Sequence, residues 1–195
     1  MKKENKTDQI TDIKEYEKVI NYYSELYINE YILPLYGNNI NGLELLNVIN
    51  KQFNAMLLYI RKYIPKINYN DLQLLNDIFN LYVELCVKYN HLPTIQGFCF
   101  MSNISQNTID KWKNGYTKLS IERMETIKKW YSICKGFLID DLNNSDKASI
   151  NKIFIAKSVY GLNDNINAIQ NNDLNVIQAE TLPTLAISNK ENEND

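Results

Sequence analysis

The sequence predicts an all-α fold, and three observations carry that prediction. Apolar residues recur at spacings of three and four along most of the chain, which is the period of one helix face. Alternating apolar and polar residues are nearly missing, as are Asn-Gly turns between β-branched runs. The chain has 195 residues, of which 45% are hydrophobic, and a net charge of -2. That composition is typical of one globular domain, or of one domain with a small appendage.

The first two predicted helices cover residues 11–32 and 41–64 and form an N-terminal pair. Thr11 is the expected N-cap of the first helix, and Pro34 and Gly37 are expected to end it, because proline disrupts a helix interior. We therefore expect residues 1–66 to form a helical hairpin. The sequence leaves open whether this hairpin is a separate layer or packs on the rest, and it does not indicate a role.

A third helix is predicted over residues 70–89, with Asn70 as its cap and Asn90 in the left-handed conformation that often ends a helix. His91, the only histidine, follows this end and is expected to be solvated. One histidine with scattered cysteines gives no zinc pattern. We expect three reduced thiols, since their number is odd and no CxxC occurs: Cys86, Cys99 and Cys134.

The stretch LPTIQGFCFMSNISQNTIDKWKNG predicts two short helices, over about 94–101 and 105–114, joined by a tight turn. A helix-turn-helix needs a small residue where the second helix crosses the first, and Cys99 stands there. The turn needs a residue that tolerates positive φ, and Asn103 is such a residue. This stretch therefore meets the steric requirements of a helix-turn-helix.

The same spacing assigns the two faces of the second short helix. Three apolar residues are expected to be buried: Ile104, Ile109 and Trp112. Amides on the opposite face can pair with adenine, Ser and Lys suit phosphate or guanine, and Asp can accept from a cytosine amino group. The predicted DNA-binding face consists of Ser105, which is also the N-cap, Gln106, Asn107, Asp110, Lys111 and Asn114, with Lys113 at its flank.

A longer helix is predicted over about 120–142, capped by Ser120, and a last one over about 145–160, closed by Gly161. Residues 110–135 contain seven basic and only three acidic side chains, whereas the rest of the chain is acidic. A basic segment beside a recognition helix attracts phosphates, and a solvated helix face is the alternative. The expected phosphate contacts are Lys113, Lys118, Arg123, Lys128 and Lys129.

Residues 162–195 contain six acidic side chains and one basic side chain. This polar, Asn-rich and acidic composition predicts a flexible acidic tail. Its one apolar patch is TLPTLAI, at 181–187. That patch is either a short docking segment or an ordinary stretch of the tail.

No catalytic residue, metal site or cofactor is expected. The chain has no GxxxxGK[ST] phosphate-binding loop, and one histidine beside a helix end cannot complete a Ser-His-Asp or Cys-His set. The pair Asp140-Asp141 is expected to be a solvated helix end. No apolar run approaches the roughly 20 residues that cross a bilayer, and no secretory signal follows the first lysines. We therefore expect no membrane contact and no enzyme.

Several short patterns occur together between about residues 80 and 166: Pro93-Thr94, Gly97-Phe98, Ser105, Ile109, Trp112, and Lys157 with Tyr160-Gly161. As a set they resemble the small-subunit terminases, the DNA-packaging proteins of tailed bacteriophages. That family usually has glycine where Asn103 stands, and the first 70 residues have no counterpart in the resemblance.

The resemblance implies an all-α, non-catalytic subunit that binds the packaging-initiation site on double-stranded viral DNA. It also implies a homo-oligomeric ring that regulates the large terminase subunit in the host cell cytoplasm. Two alternatives stay open: a dimeric helix-turn-helix transcription regulator, and a helical scaffold protein without DNA binding. The predicted segments are residues 1–66, residues 67–161 with the DNA-binding and packing helices, and the tail 162–195.

Overall fold

The computed structural model describes residues 12–36, 40–116, 120–144 and 150–162. No strand occurs in these ranges, so the all-α prediction is confirmed. None of the described helices is both long and apolar enough to cross a membrane. Apart from Leu162, the predicted tail lies outside the described residues. The elements are α1 (Ile13–Tyr27), a π-helical turn (Ile28–Ile32), α2 (Leu33–Tyr36), α3 (Gly42–Ile60), α4 (Leu72–Lys88), α5 (Ile95–Ser102), α6 (Gln106–Lys113), α7 (Ile121–Asn144) and α8 (Ile150–Ser158).

The first helix differs from its prediction at both ends. Asp12 caps α1, because its Oδ1 accepts a hydrogen bond from the Lys14 backbone N–H at 3.0 Å; Thr11 and Gly37 lie outside the described residues. The prediction that Pro34 ends the helix is wrong, since Pro34 lies inside α2. The π-helical turn just before it widens the backbone where the proline ring would meet the carbonyl four residues earlier.

The cap of α4 is Asp71 rather than the predicted Asn70. The Asp71 carboxylate accepts from the Leu74 N–H at 3.0 Å, whereas the Asn70 N–H still donates to the side chain of Asn68 at 3.1 Å. The chain at Asn70 therefore belongs to a turn. At the other end Asn90 has φ 52°, so its predicted left-handed conformation is confirmed.

One hydrophobic core joins the N-terminal helices to the rest. Helix α1 packs on α3 and α4, α3 packs on α5, and both α4 and α5 pack on α7. At the centre Phe79 stacks on Trp130 with ring centroids 4.6 Å apart, and Phe98 lies edge-on to both rings. The buried indole is satisfied because Trp130 Nε1 donates to Asn76 Oδ1 at 3.0 Å. The N-terminal helices therefore pack on the helix pair that carries the candidate site.

His91 is partly buried, which corrects the expectation of a solvated histidine. Its ring stacks on Phe53 with centroids 4.2 Å apart, and its Nδ1 lies 2.8 Å from Asn50 Oδ1. Burial lowers the pKa of His91, because the charged form loses hydration. His91 thus joins the end of α4 to α3. The three cysteines are free and buried.

The pair Asp140-Asp141 also differs from a fully solvated helix end. Asp140 is exposed, whereas Asp141 is half-buried and accepts a hydrogen bond from Lys152 Nζ. This ion pair joins α7 to α8.

Candidate nucleic-acid interface

The helix pair α5–α6 is anchored at its start by Thr94 and Tyr82. Thr94 Oγ1 caps α5 by accepting from the Gly97 N–H at 2.9 Å. The Tyr82 hydroxyl accepts from the Thr94 N–H at 2.9 Å and donates to the Thr94 carbonyl at 3.0 Å. A Cβ at Gly97 would lie 2.3 Å from the Tyr82 oxygen, so a larger residue does not fit without rearrangement. The Pro-Thr…Gly-Phe pattern therefore has a local structural cause, the docking of α5 on α4.

The turn between the two helices has the predicted geometry. Asn103 lies in the left-handed region with φ 60° and ψ 21°. The next N–H, of Ile104, donates to the buried Ser102 Oγ at 3.3 Å. Ser105 is the N-cap of α6, since its Oγ accepts from the Thr108 N–H at 3.1 Å. The Ser105 hydroxyl also lies 2.8 Å from Thr108 Oγ1, so both of its contacts are made inside α6.

The predicted inner and outer faces of α6 are largely confirmed. Ile104, Ile109 and Trp112 are buried in the core. At the end of α6, Gly115 has φ 69°, and the Tyr116 N–H returns to the Lys111 carbonyl at 3.1 Å, which closes the helix in a Schellman motif. The exposed side chains of the predicted DNA-binding face are those of Ser105, Gln106, Asn107, Lys111 and Asn114.

Two predicted DNA contacts, Asp110 and Lys113, are half-buried and face Tyr131 of α7. Tyr131 Oη donates to Asp110 Oδ1 at 2.6 Å, and the Lys113 ammonium lies 3.9 Å from the centre of the Tyr131 ring. Burial and the Asp110 charge raise the pKa of Tyr131, so its hydroxyl remains a donor at neutral pH. Asp110 would have to give up this bond to accept from a cytosine. Its assignment to the outward face is therefore corrected.

Cys99, which is expected where the second short helix crosses the first, is buried, with 6% of its surface exposed. Burial, with a smaller effect from Asp110 of α6, raises the pKa of the Cys99 thiol to about 12. The thiol therefore stays protonated and acts as a small apolar residue between the two helices.

Arg123 is buried, at 6% exposure, which corrects the expected phosphate contact. Its Nη1 donates to the Tyr69 carbonyl at 2.6 Å, and its guanidinium carbon lies 5.0 Å from the centre of the Trp112 ring. Burial lowers the pKa of Arg123. Arg123 stands four and seven residues before Ile127 and Trp130, which are both fully buried. That spacing is the sequence signal for its inward orientation.

The remaining predicted phosphate contacts lie on α7 or just before it. Lys128 and Lys129 are both exposed. Lys128 Nζ is 3.0 Å from Glu125 Oε1, an exposed ion pair that contributes little to stability. Lys118 lies outside the described residues. Of the predicted phosphate contacts, Lys128 and Lys129 are therefore the exposed ones on α7, and Lys111 is an exposed lysine on α6.

Among the described residues, no group of three or more His, Cys, Asp or Glu side chains is arranged to hold a metal ion. Comparisons with protein-family models, with curated proteins and with solved structures found no match to this chain.

Proposed function

We propose that the protein is a non-catalytic DNA-binding subunit of the small-terminase type, in which α5 and α6 act as a helix-turn-helix. One observation carries the proposal. The short helix α6 is held by buried Ile109 and Trp112 and leaves Gln106, Asn107 and Lys111 exposed on its other face. A helix that is anchored on one side and polar on the other suits the major groove of duplex DNA.

The positions along α6 fit the contacts that a recognition helix makes. Gln106 and Asn107 lie in the first turn, and the N-terminal residues of a recognition helix contact base edges. Their amides can form paired hydrogen bonds with adenine. Lys111 lies about one turn further along the same face, where an ammonium can reach a phosphate or a guanine. These contacts give α6 both positioning and base-reading groups.

A helix of this length binds DNA weakly by itself, so the proposal includes a ring of identical subunits that presents several copies at once. The tyrosine-rich N-terminal helices or the helices after Ser120 supply the subunit contacts, and the large terminase subunit is the further partner. The proposed location is the host cell cytoplasm, where phage DNA is packaged.

The test is binding of labelled duplex DNA, measured by fluorescence anisotropy at about 50 mM salt. Wild-type protein is expected to bind at micromolar concentration, and the double variant Asn107→Ala/Lys111→Ala is expected to bind at least tenfold more weakly with unchanged stability. The matched control is Lys51→Ala/Asn54→Ala, which removes the same two residue types from the exposed surface of α3. Absence of binding by the wild type, or equal loss in both variants, would contradict the proposal.

A helical interaction protein without a DNA role is the second candidate. The observation that favours it is the apolar surface of α8, where Ile150 is 83% exposed and Phe154 is 68% exposed. Exposed apolar patches commonly mark protein–protein contacts. Native mass spectrometry with and without DNA separates the two functions: this candidate predicts oligomers that carry no DNA, and the proposal predicts oligomers that do.

A further inference from the structure

A surface cleft of about 280 Å³ lies where the end of α6 meets α7 and the residues around the end of α8. No Asp or Glu belongs to the described residues that line it. Six of the lining residues carry the polar chemistry: Lys113, Lys128, Tyr131, Ser132, Lys135 and Tyr160. Three lysines therefore line one small volume.

The α7 side of the cleft follows from helix spacing. Four lining residues share one face of α7, because Tyr131, Ser132 and Lys135 follow Lys128 by three, four and seven residues. The Ser132 hydroxyl donates to the Lys128 carbonyl at 3.2 Å. The hydroxyl groups of Ser132 and Tyr131 both donate within the protein, and the lysines are the charged groups that would hold a ligand.

One of the three lysines is already positioned. The Lys113 ammonium rests 3.9 Å from the centre of the Tyr131 ring, and Tyr131 is in turn fixed by its bond to Asp110. Lys128 shares its charge with Glu125 on the solvent side. Lys135 forms no salt bridge with the described residues. Its side chain is half-buried beside the cleft. The three lysines outnumber the two nearby carboxylates, Glu125 and Asp110, so the site retains an excess of positive charge.

We propose that this cleft holds a phosphate oxyanion, and that the phosphate is one of the DNA backbone, contacted by Lys135 together with Lys113 while α6 lies in the groove. The inference rests on the proposed DNA-binding function. It adds Lys135, which is not among the phosphate contacts predicted from the sequence. Lysine is a common phosphate ligand, acting as a point charge with three donors. The cleft adjoins the last turn of α6, so a phosphate there would fix the helix from its C-terminal end.

The first arm of the test measures how DNA affinity depends on salt. Each phosphate contact contributes about 0.9 to the slope of log affinity against log salt, so Lys135→Gln should reduce the slope by about 0.9. At about 0.1 M salt that corresponds to roughly eightfold weaker binding, and the loss should be the same for every DNA sequence. The control is Lys18→Gln, which removes an exposed charge from α1 and should leave the slope unchanged.

The second arm measures the thermal unfolding midpoint with inorganic phosphate and with sodium chloride at equal ionic strength. Wild-type protein should gain stability in phosphate, and Lys135→Gln should not. If Lys135→Gln abolishes the stabilisation by phosphate but leaves the salt dependence of DNA affinity unchanged, the cleft binds a free phosphate compound and the assignment to the DNA backbone is wrong. If Lys135→Gln keeps both the stabilisation by phosphate and the wild-type salt slope, the cleft is not a phosphate site.

The two arms also separate this inference from the proposed function. If the wild type binds no DNA, the proposed function and the backbone assignment both fail, and the phosphate arm alone decides whether the cleft binds the oxyanion. If the wild type binds DNA and Asn107→Ala/Lys111→Ala weakens it, but Lys135→Gln changes neither slope nor midpoint, the proposed function stands and the cleft is refuted.

Discussion

Replacing Arg123 distinguishes a structural cation from a DNA contact. In the folded protein its guanidinium donates to the Tyr69 carbonyl at 2.6 Å and lies 5.0 Å from the centre of the Trp112 ring. A hydrogen bond from a charged donor contributes about 1.5–3 kcal/mol, and a cation–π contact about 0.5–2 kcal/mol. Arg123→Gln is therefore expected to lower the free energy of unfolding by about 2–5 kcal/mol.

The assay is urea unfolding followed by circular dichroism, with the m-value checked for two-state behaviour. The matched control is Lys129→Gln, which removes an exposed cation from the same helix and should change stability by no more than about 0.5 kcal/mol. Arg123→Lys keeps the charge but not the planar fork, so it should recover less than half of the loss.

One pattern of results would refute this reasoning. If Arg123→Gln unfolds like the wild type but shows a shallower salt dependence of DNA binding, Arg123 is a phosphate contact and its burial by Trp112 does not persist in solution. Such a result would restore the expectation drawn from the sequence.

Three further outcomes follow from the packing. Gly97→Ala should lower the free energy of unfolding by about 1–3 kcal/mol, because the added Cβ meets the Tyr82 oxygen. Combining it with Tyr82→Phe should cost less than the sum of the two single changes. If urea unfolding shows that the two changes are fully additive, the clash is contradicted. Trp112→Ala should cost about 3–5 kcal/mol as the loss of a core aromatic, and a stability-neutral result would invert the two faces assigned to α6. Because the pKa of His91 is lower in the folded protein, the unfolded chain binds the proton first as pH falls. The stabilisation by neutral, buried His91 is therefore complete above about pH 6.5 and is lost as pH falls through the folded pKa. Urea midpoints at about pH 7.5 and 5.5 should therefore differ less for His91→Gln than for the wild type.

The short helices around Asn103 could be predicted because their signals are local. A left-handed turn residue, an N-cap at Ser105 and buried residues at Ile109 and Trp112 each follow from the spacing of neighbouring residues, and each is found in the structure. Such patterns need no knowledge of what packs against the helix. The polar face of α6 then follows from the same period.

The predictions for Arg123 and His91 are wrong because contacts with distant parts of the chain bury these two residues. The positive charge of Arg123 favours a phosphate contact, but its spacing from Ile127 places it on the buried side of α7, while the apolar Ile121 is 77% exposed. Pro34 continues a helix because a π-helical turn precedes it, which no local pattern indicates. His91 is covered by Phe53, from a helix about 40 residues earlier. The partners of Arg123 and His91, which are Tyr69 and Phe53, are distant in sequence.

The contact between Arg123 and Trp112 has a consequence for how this region can change in evolution. Side chains of α6 and α7 hold the two helices together directly, through Arg123, Tyr131 and their partners. These contacts orient α6 on α7 independently of any that residues 117–119 make. Insertions and deletions in the connection between Gly115 and Ser120 should be tolerated, and relatives of this chain are expected to differ most in length there.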